Sequence, residues 1–458
     1  MNRLGPAEKQ QRIAVVGTGI SGMAAAWLLS RRHQVTVYEK DDRIGGHTNT
    51  VTVDGPAGPT SVDTGFIVYN DRNYPNLVAL FEHLGVATSP TEMSFSASLD
   101  GGRFEYAGTG LAGLLAQAGN VLRPRMWRML SDLLRFYREA PRALSDPGAA
   151  DLTLGAYLSA NGYGEPFVRD HLLPMGAAIW STPTQGMLDY PLAAFVRFCA
   201  NHGLLTLGQR PQWRTVVGGS QSYVQHITAP FRDRIRLNTA VTAIFRRPQG
   251  VRIEDRQGGA RDYDQVVIAA HADQALAMLA DADAAERRLL GAFRYERNLA
   301  VLHSDPALMP RARRAWASWN FLSQGRGEGQ KVCVTYWMNR LQHLPESLPL
   351  FVTLNPLVRP TQGTIHRSFL YQHPVYDQAA IRAQGLLWNL QGARRTWFCG
   401  SYFGHGFHED GLQAGLAVAE QLGGLERPWR VADANGRIYC HPRGQRVRAL
   451  DPIAAEAA

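Results

Sequence analysis

Residues 13–46 read IAVVGTGISGMAAAWLLSRRHQVTVYEKDDRIGG, and this stretch decides the fold. A short apolar run, Ile13 to Val16, meets Gly17, Gly19 and Gly22; next come an alanine-rich stretch from Met23 to Ser30 and a second apolar run, Gln34 to Tyr38, that ends on Glu39. The pattern predicts strand, tight turn, helix and strand, the first half of a dinucleotide-binding unit. Gly17 makes the turn, Gly19 lets backbone approach a pyrophosphate, and Gly22 lets helix and strand pack closely, with Thr18, Ile20 and Ser21 completing the cradle. The helix N-terminus then faces the phosphates with its partial positive charge. Glu39, 22 positions after Gly17, is placed to accept hydrogen bonds from ribose hydroxyls. A glycine triplet alone is weak evidence, but here strand, helix and acid all fall in place.

The residues beyond the second apolar run indicate which dinucleotide is bound. Glu39-Lys40-Asp41-Asp42-Arg43-Ile44-Gly45-Gly46-His47 resembles the ExxxRxGG(R) signature of the flavin-containing amine oxidase superfamily, and Val62 to Ile67 resembles its next strand and flavin-facing turn. The resemblance implies FAD, with Lys40, Arg43, Gly45, Gly46 and His47 on its phosphate side and Thr64, Gly65 and Phe66 beside the flavin. His47 stands where an arginine often closes the motif, so Arg43 is expected to supply phosphate charge. Trp397 to Ser401 resembles the strand into the ribityl turn, implying contacts from Gly400 and Ser401. Gly406 to Gly415 resembles the last motif, where Gly411 and Leu412 open a helix aimed at the pyrimidine end. Arg236 to Ile244 resembles the strand that meets adenine, through Val241, and Tyr263 to His271 resembles the strand that returns beneath the pyrophosphate, through Ala270. Trp213 to Ser220 is similar to the glycine turn leading back from the second domain.

The resemblance implies an α/β fold of the amine-oxidase and phytoene-desaturase kind: a Rossmann-like FAD-binding domain in three segments, 10–71, 211–292 and 391–428, and an inserted α+β substrate domain, 72–210 and 293–390. Residues 429–458 are expected to be a tail, poorly ordered at its end. Most tryptophans, including Trp127, Trp180, Trp316, Trp319, Trp337 and Trp388, lie in the inserted segments. They suit either a large apolar cavity or ordinary core packing. Only one full dinucleotide fingerprint is present; Gly325 to Gly329 has no apolar strand before it and reads as a surface loop. Electrons are therefore expected from the substrate rather than from NAD(P)H.

The 458 residues are 45% hydrophobic and 19% charged, which excludes a disordered chain or a small disulfide scaffold. The net charge is +9, carried by 45 arginines and only three lysines, Lys9, Lys40 and Lys331. The four cysteines show no CxxC spacing and read as reduced. No zinc-finger spacing or aromatic-interleaved basic run supports nucleic acid as a partner. No signal peptide and no bilayer-spanning run is evident, so a cytoplasmic protein is expected, with the inner membrane face still open to it. Leu122 to Arg142 holds six arginines against Asp132 and Glu139, a net +4. At 100° per residue Arg125, Arg128, Arg135, Arg138 and Arg142 share about 140°, with Leu122, Met126, Leu130, Leu133 and Tyr137 opposite. The stripe reads either as a solvated face or as a contact with an anionic membrane surface.

The superfamily commonly places a lysine near the flavin N5; by spacing that position falls on or near Asn298, and the channel-lining aromatic appears as Phe407, without a hydroxyl. Both departures suit an apolar substrate better than an amine. His405, His408, Glu409 and Asp410 form the densest titratable cluster, and His408, His405 and Glu409 are the catalytic candidates, histidine titrating near neutrality. The alternative is that these side chains serve structural hydrogen bonds. His202 and Trp180 are weaker candidates, and no spacing supports a metal site. Over nearly its full length the chain resembles a bacterial group of NAD/FAD-binding proteins, through Met175 to Ser181, Asn201 to Leu205, Arg210 to Arg214, Tyr336 to Gln342 and Gly406 to Gly411. That resemblance implies association with enzymes that modify unsaturated, cyclopropane or methylated fatty acyl chains. Three functions stand at this point: an FAD-dependent dehydrogenase or desaturase acting on a lipid-like substrate, an amine or polyamine oxidase, and a redox-neutral isomerase or flavin-containing partner of a lipid-modifying enzyme.

Overall fold

The computed structural model describes residues 10–447, apart from 57, 146–147, 149–151, 181–183, 207, 209, 326–329, 443 and 446. The apolar run after residue 11 forms the strand Arg12–Val16, central in a five-stranded parallel sheet with Gln34–Tyr38 and Ile235–Arg236 on one side and Gln265–Ile268 and Thr396–Phe398 on the other. Its residues 13–16 are buried, as a parallel strand covered on both faces requires. The alanine-rich stretch becomes the helix Ile20–Leu29, with all ten residues buried. It packs on the C-terminal helix His408–Gly423, and small residues set the approach: a Cβ at Gly415 would lie 2.2 Å from the Ser21 carbonyl oxygen. All five strands come from residues 12–38, 235–268 and 396–398.

The second body is a seven-stranded mixed sheet, in the order Ile365–Val375, Arg294–His303, Phe351–Leu354, Lys331–Trp337, Trp319–Gln324, Phe95–Leu99 and Phe104–Ala107. Only the pairing of Trp319–Gln324 with Phe95–Leu99 is parallel. The helices between residues 111 and 201 belong to this part of the chain. No helix among the described residues is long and apolar enough to cross a membrane.

Two expectations change, and two open ones gain detail. The stretch Arg236 to Ile244 is two strands, because Asn238 takes a left-handed φ of 54° and the chain turns there from the parallel sheet into the antiparallel strand Val241–Arg247. The basic helix, Pro124–Ala143, buries Met126, Met129, Leu133, Phe136 and Ala140, whereas Leu122 is 84% exposed, since it precedes the helix and the stripe turns toward the helices Glu165–Phe167 and Leu192–Asn201. The tryptophans do not gather in one cavity: Trp319 and Trp388 are core, Trp316 and Trp337 pack edge to face, and Trp127 is exposed. The side chain of Trp180, residues 326–329 of the glycine loop and residues 448–458 of the tail lie outside the described residues. The described part of the tail packs: Trp429 stacks on Trp27, Ile438 is buried, and Arg437 reaches the C-terminal helix.

Candidate active site

The glycine turn has the geometry its spacing requires. Gly17 has a φ of 106°, and a Cβ at Gly22 would lie 2.0 Å from the Gly17 carbonyl oxygen. Above Gly19 nothing lies within 4 Å, and the helix it caps has neither a side-chain cap nor an acid in its first turn. Its first N–H groups are thus left for an anion. The second glycine pair folds against the first, with a Cβ at Gly46 only 3.0 Å from the Gly19 Cα. Glu39 is buried and accepts hydrogen bonds from the Thr18 N–H and hydroxyl and from the Asp41 N–H. Gly411 brings the start of the C-terminal helix to Ile20 and Ser21, so two helix N-termini converge beside Ser401. Leu412 is fully buried behind that turn. Ala270 lies next to the Gly17 turn, Val241 opens the strand beyond the turn at Asn238, and Lys40 is exposed.

Arg43 and His47, expected on the phosphate side, both lie at the second glycine turn. Arg43 donates to the Gly46 and Thr48 carbonyls and braces the second glycine turn with its charge. His47 is enclosed, and burial holds its pKa well below the usual range, so it is neutral. Its ring stacks on Tyr371, 5.4 Å from His373, and its Nε2 atom has no partner. An orphaned buried nitrogen beside a glycine cradle is where a bound group's polar atom fits.

The turn at Thr64 to Phe66, expected to face the flavin, is pinned from both sides. The Thr64 hydroxyl meets the Asn49 carbonyl and the Tyr371 hydroxyl, and a Cβ at Gly65 would lie 2.0 Å from the His47 carbonyl oxygen. The Phe66 ring stacks on His408 at 3.8 Å. His408 Nε2 lies 3.0 Å from both the Thr48 and Tyr223 hydroxyls, and burial lowers its pKa to about 3. His408 is a neutral, hydrogen-bonded wall of the site. His405 is also lowered to about 3, by burial and by Arg437 and Arg197. Glu409 is turned away from the flavin-facing turn: its oxygens accept from the Asn76 N–H and amide, the Leu77 N–H and Gln413, capping the helix Pro75–Leu84. That geometry gives Glu409 a structural role in place of the catalytic one expected for it.

Asn298, on or near which the lysine is expected, is fully buried on the strand Arg294–His303. Its Oδ1 accepts from the Asn355 amide, which turns its Nδ2 to His373 Nδ1 at 3.1 Å. His373 therefore carries its proton on Nε2, and burial lowers its pKa to about 4. His271 stacks on Tyr295 at 4.3 Å and is also lowered by burial. On the other side Phe407 stacks on Phe198, and His202 lies between Phe198 and Trp213. Tyr371 and His373 were not anticipated; their signal was the two-residue alternation Phe369, Tyr371, His373 along one face of the strand Ile365–Val375.

Asp410 is held by the Phe407 N–H and by Arg437, whose Nε lies 2.7 Å away. Arg437→Ala leaves a fully buried carboxylate unpaired and is expected to cost about 3 to 5 kcal/mol, read as a lower urea midpoint. Adding Asp410→Asn should recover part of that loss.

Comparison with known proteins agrees with this geometry. The flavin containing amine oxidoreductase family matches residues 20–302. The chain belongs to that family. Its cofactor is FAD, and the residues described above fit that group. AofH of Mycobacterium tuberculosis, named as a flavin-containing monoamine oxidase, is 29% identical over 261 residues, 54% of each chain. The match thus spans about half the length of that relative. Among solved structures, putrescine oxidase bound to putrescine superposes with a TM-score of 0.63 at 14% identity, covering 90% of this chain and 99% of that one. The CLA-producing fatty acid isomerase from P. acnes gives 0.61 at 16% identity, covering 90% and 98%. Both likenesses are of fold.

Proposed function

We propose that this family member is an FAD-dependent oxidoreductase of the dehydrogenase or desaturase type that takes hydride from an apolar, lipid-like substrate such as an unsaturated or modified fatty acyl chain. One observation carries the reading: Asn298, on or near which the lysine is expected, is a neutral amide locked between Asn355 and His373. His47, His271, His373 and His408 have lowered pKa values and are neutral, and Phe66, Phe198 and Phe407 supply aromatic faces. Asp63, Glu409 and Asp410 accept internal hydrogen bonds, which leaves no carboxylate of this group free for an ammonium ion. The likeness in fold to a fatty acid isomerase supports an acyl substrate.

When bound, the flavin supplies a two-electron acceptor for substrate hydride. The chain's part is to exclude water with the Phe198–Phe407 wall and to hold Asn298 and His373 in one tautomeric arrangement. His405, beside His202, is kept neutral by burial and by the charges of Arg437 and Arg197, so it passes on rather than retains the proton that leaves the substrate.

Mixing the flavin-loaded protein anaerobically with unsaturated or methylated fatty acyl lipids is expected to bleach the flavin, with the product two mass units lighter. Bleaching by putrescine and not by any lipid would sink the reading in favour of an amine oxidase. Turnover at unchanged mass would replace it with isomerisation.

A further inference from the structure

Five exposed large hydrophobic side chains fall in one stretch of the chain around the basic helix, while others, such as Val217, Val358 and Leu370, lie elsewhere. Of the large hydrophobic side chains left exposed among the described residues, Leu111 is 79% exposed, Leu122 84%, Trp127 54%, Leu134 49% and Val121 46%, all within 24 residues of chain. The Trp127 Nε1–H is satisfied by the Val121 carbonyl at 2.8 Å, so the indole is tied to the loop before the basic helix with its ring outward. Along Pro124–Ala143, at 100° per residue, Trp127 and Leu134 fall on the same face as Arg128, Arg138 and Arg142. All three arginines are exposed. Their two neighbours on the stripe are engaged within the fold: Arg125 pairs with Asp170, and Arg135 lies over Tyr163. Arg125 and Arg135 thus fasten the helix to the fold, while Arg128, Arg138 and Arg142 stand exposed beside Leu134 and Trp127.

A solvated helix face does not need Trp127 and Leu134 at the edge of its arginines, and a protein partner with an apolar face alone leaves the arginines unmatched. An anionic lipid surface satisfies both, with the apolar side chains at the acyl boundary and the guanidinium groups at phosphates. We infer that the loop at Val121–Leu122 and the outer face of Pro124–Ala143 dock this protein on an anionic phospholipid bilayer. The buried face of that helix packs on Leu192–Asn201, which brings Phe198 to Phe407. The helix that carries the docking surface thus packs on the helix that carries one side of the aromatic wall. Docking itself does not depend on the substrate reading: vesicle binding and flavin bleaching are separate readouts, and either can fail alone.

The test is co-sedimentation of the FAD-loaded full chain with vesicles of phosphatidylcholine alone or with a third phosphatidylglycerol. Binding to the anionic vesicles, weakened by added salt, is expected. Arg128→Gln/Arg138→Gln/Arg142→Gln should lower partitioning by roughly a hundredfold, about fivefold per arginine, and flatten the salt dependence. Leu122→Ser/Trp127→Ser should weaken binding at least about tenfold while leaving the salt slope intact. Both variants should keep the wild-type flavin absorbance and nearly the wild-type urea midpoint, since these side chains are exposed and Trp127→Ser removes only one exposed hydrogen bond, to the Val121 carbonyl. Equal partitioning of wild type and variants, no binding to either vesicle, or a stable dimer that shields Trp127 from aqueous quenchers would each overturn the proposal.

Discussion

Gly22→Ala is expected to yield a chain that does not retain FAD. The added Cβ would lie 2.0 Å from the Gly17 carbonyl oxygen and 3.1 Å from the Ala269 Cβ. Neither neighbour can rotate away: one is backbone at a φ of 106°, and the other belongs to the chain leaving the strand Gln265–Ile268. The helix start must therefore lift off the turn, which opens the cradle and strains the sheet. Overpacking of this kind costs about 1 to 3 kcal/mol where the surroundings can adjust, and more where they cannot. A flavin-to-protein absorbance ratio below about a tenth of the wild-type value is expected, with a lower urea midpoint even for the apoprotein. Gly19→Ala is the informative partner. Gly19 has a φ of −62° and open space around it, so a methyl group there costs the apoprotein nothing. Its expected effect is confined to cofactor affinity, at least about tenfold, because the methyl group would stand where backbone meets pyrophosphate. Wild-type flavin retention by Gly19→Ala would show that the pyrophosphate does not pass over that residue.

The two glycine variants also show where sequence could and could not be read. The turn at Gly17 to Gly22 was legible because its tightest constraint is local: a Cβ at Gly22 would meet the Gly17 carbonyl five residues back. The Glu39 end was legible for the same reason. The roles of His408, Glu409 and Asn298 were not, because their partners are remote in sequence. His408 is fixed by Thr48 and Tyr223, Glu409 by Asn76 and Leu77, and Asn298 by Asn355 and His373. A motif identifies the residue types near a cofactor, but whether a given imidazole faces a substrate or a hydroxyl is decided by elements hundreds of residues away. The tail illustrates the same limit. Its composition lacks periodicity, yet Arg437 and Trp429 fasten it to the two helices that meet at the site.

Acidification from pH 7 to pH 5 is expected to destabilise the protein steeply and release its flavin, because so many of its histidines are folded in the neutral form. Burial lowers His202, His405 and His408 to about 3 and His171, His303 and His373 to about 4. Each takes up a proton near 6.5 in the unfolded chain. Between its folded and unfolded pKa values the unfolded state therefore binds more protons, and stability falls as pH falls through that window. At pH 5.5 each group contributes a loss of about 1 kcal/mol. Six together approach the total stability of an ordinary domain, about 5 to 15 kcal/mol. Asp63 acts in the opposite sense. Burial raises it to about 6, so the folded state binds its proton more readily and gains stability as pH falls through that value. Glu409 and Asp410, also raised by burial, add to this, but three carboxyls do not balance six imidazoles. The urea midpoint should fall between pH 6.5 and 5, with a net uptake of several protons on unfolding at pH 5.5. His408→Gln, which can keep a hydrogen bond to Thr48 or Tyr223, should reduce that uptake by about one. A midpoint that stays level from pH 7 to pH 5 would mean that these rings are charged or solvated in the folded protein, and the neutral wall around the flavin-facing turn would go with it.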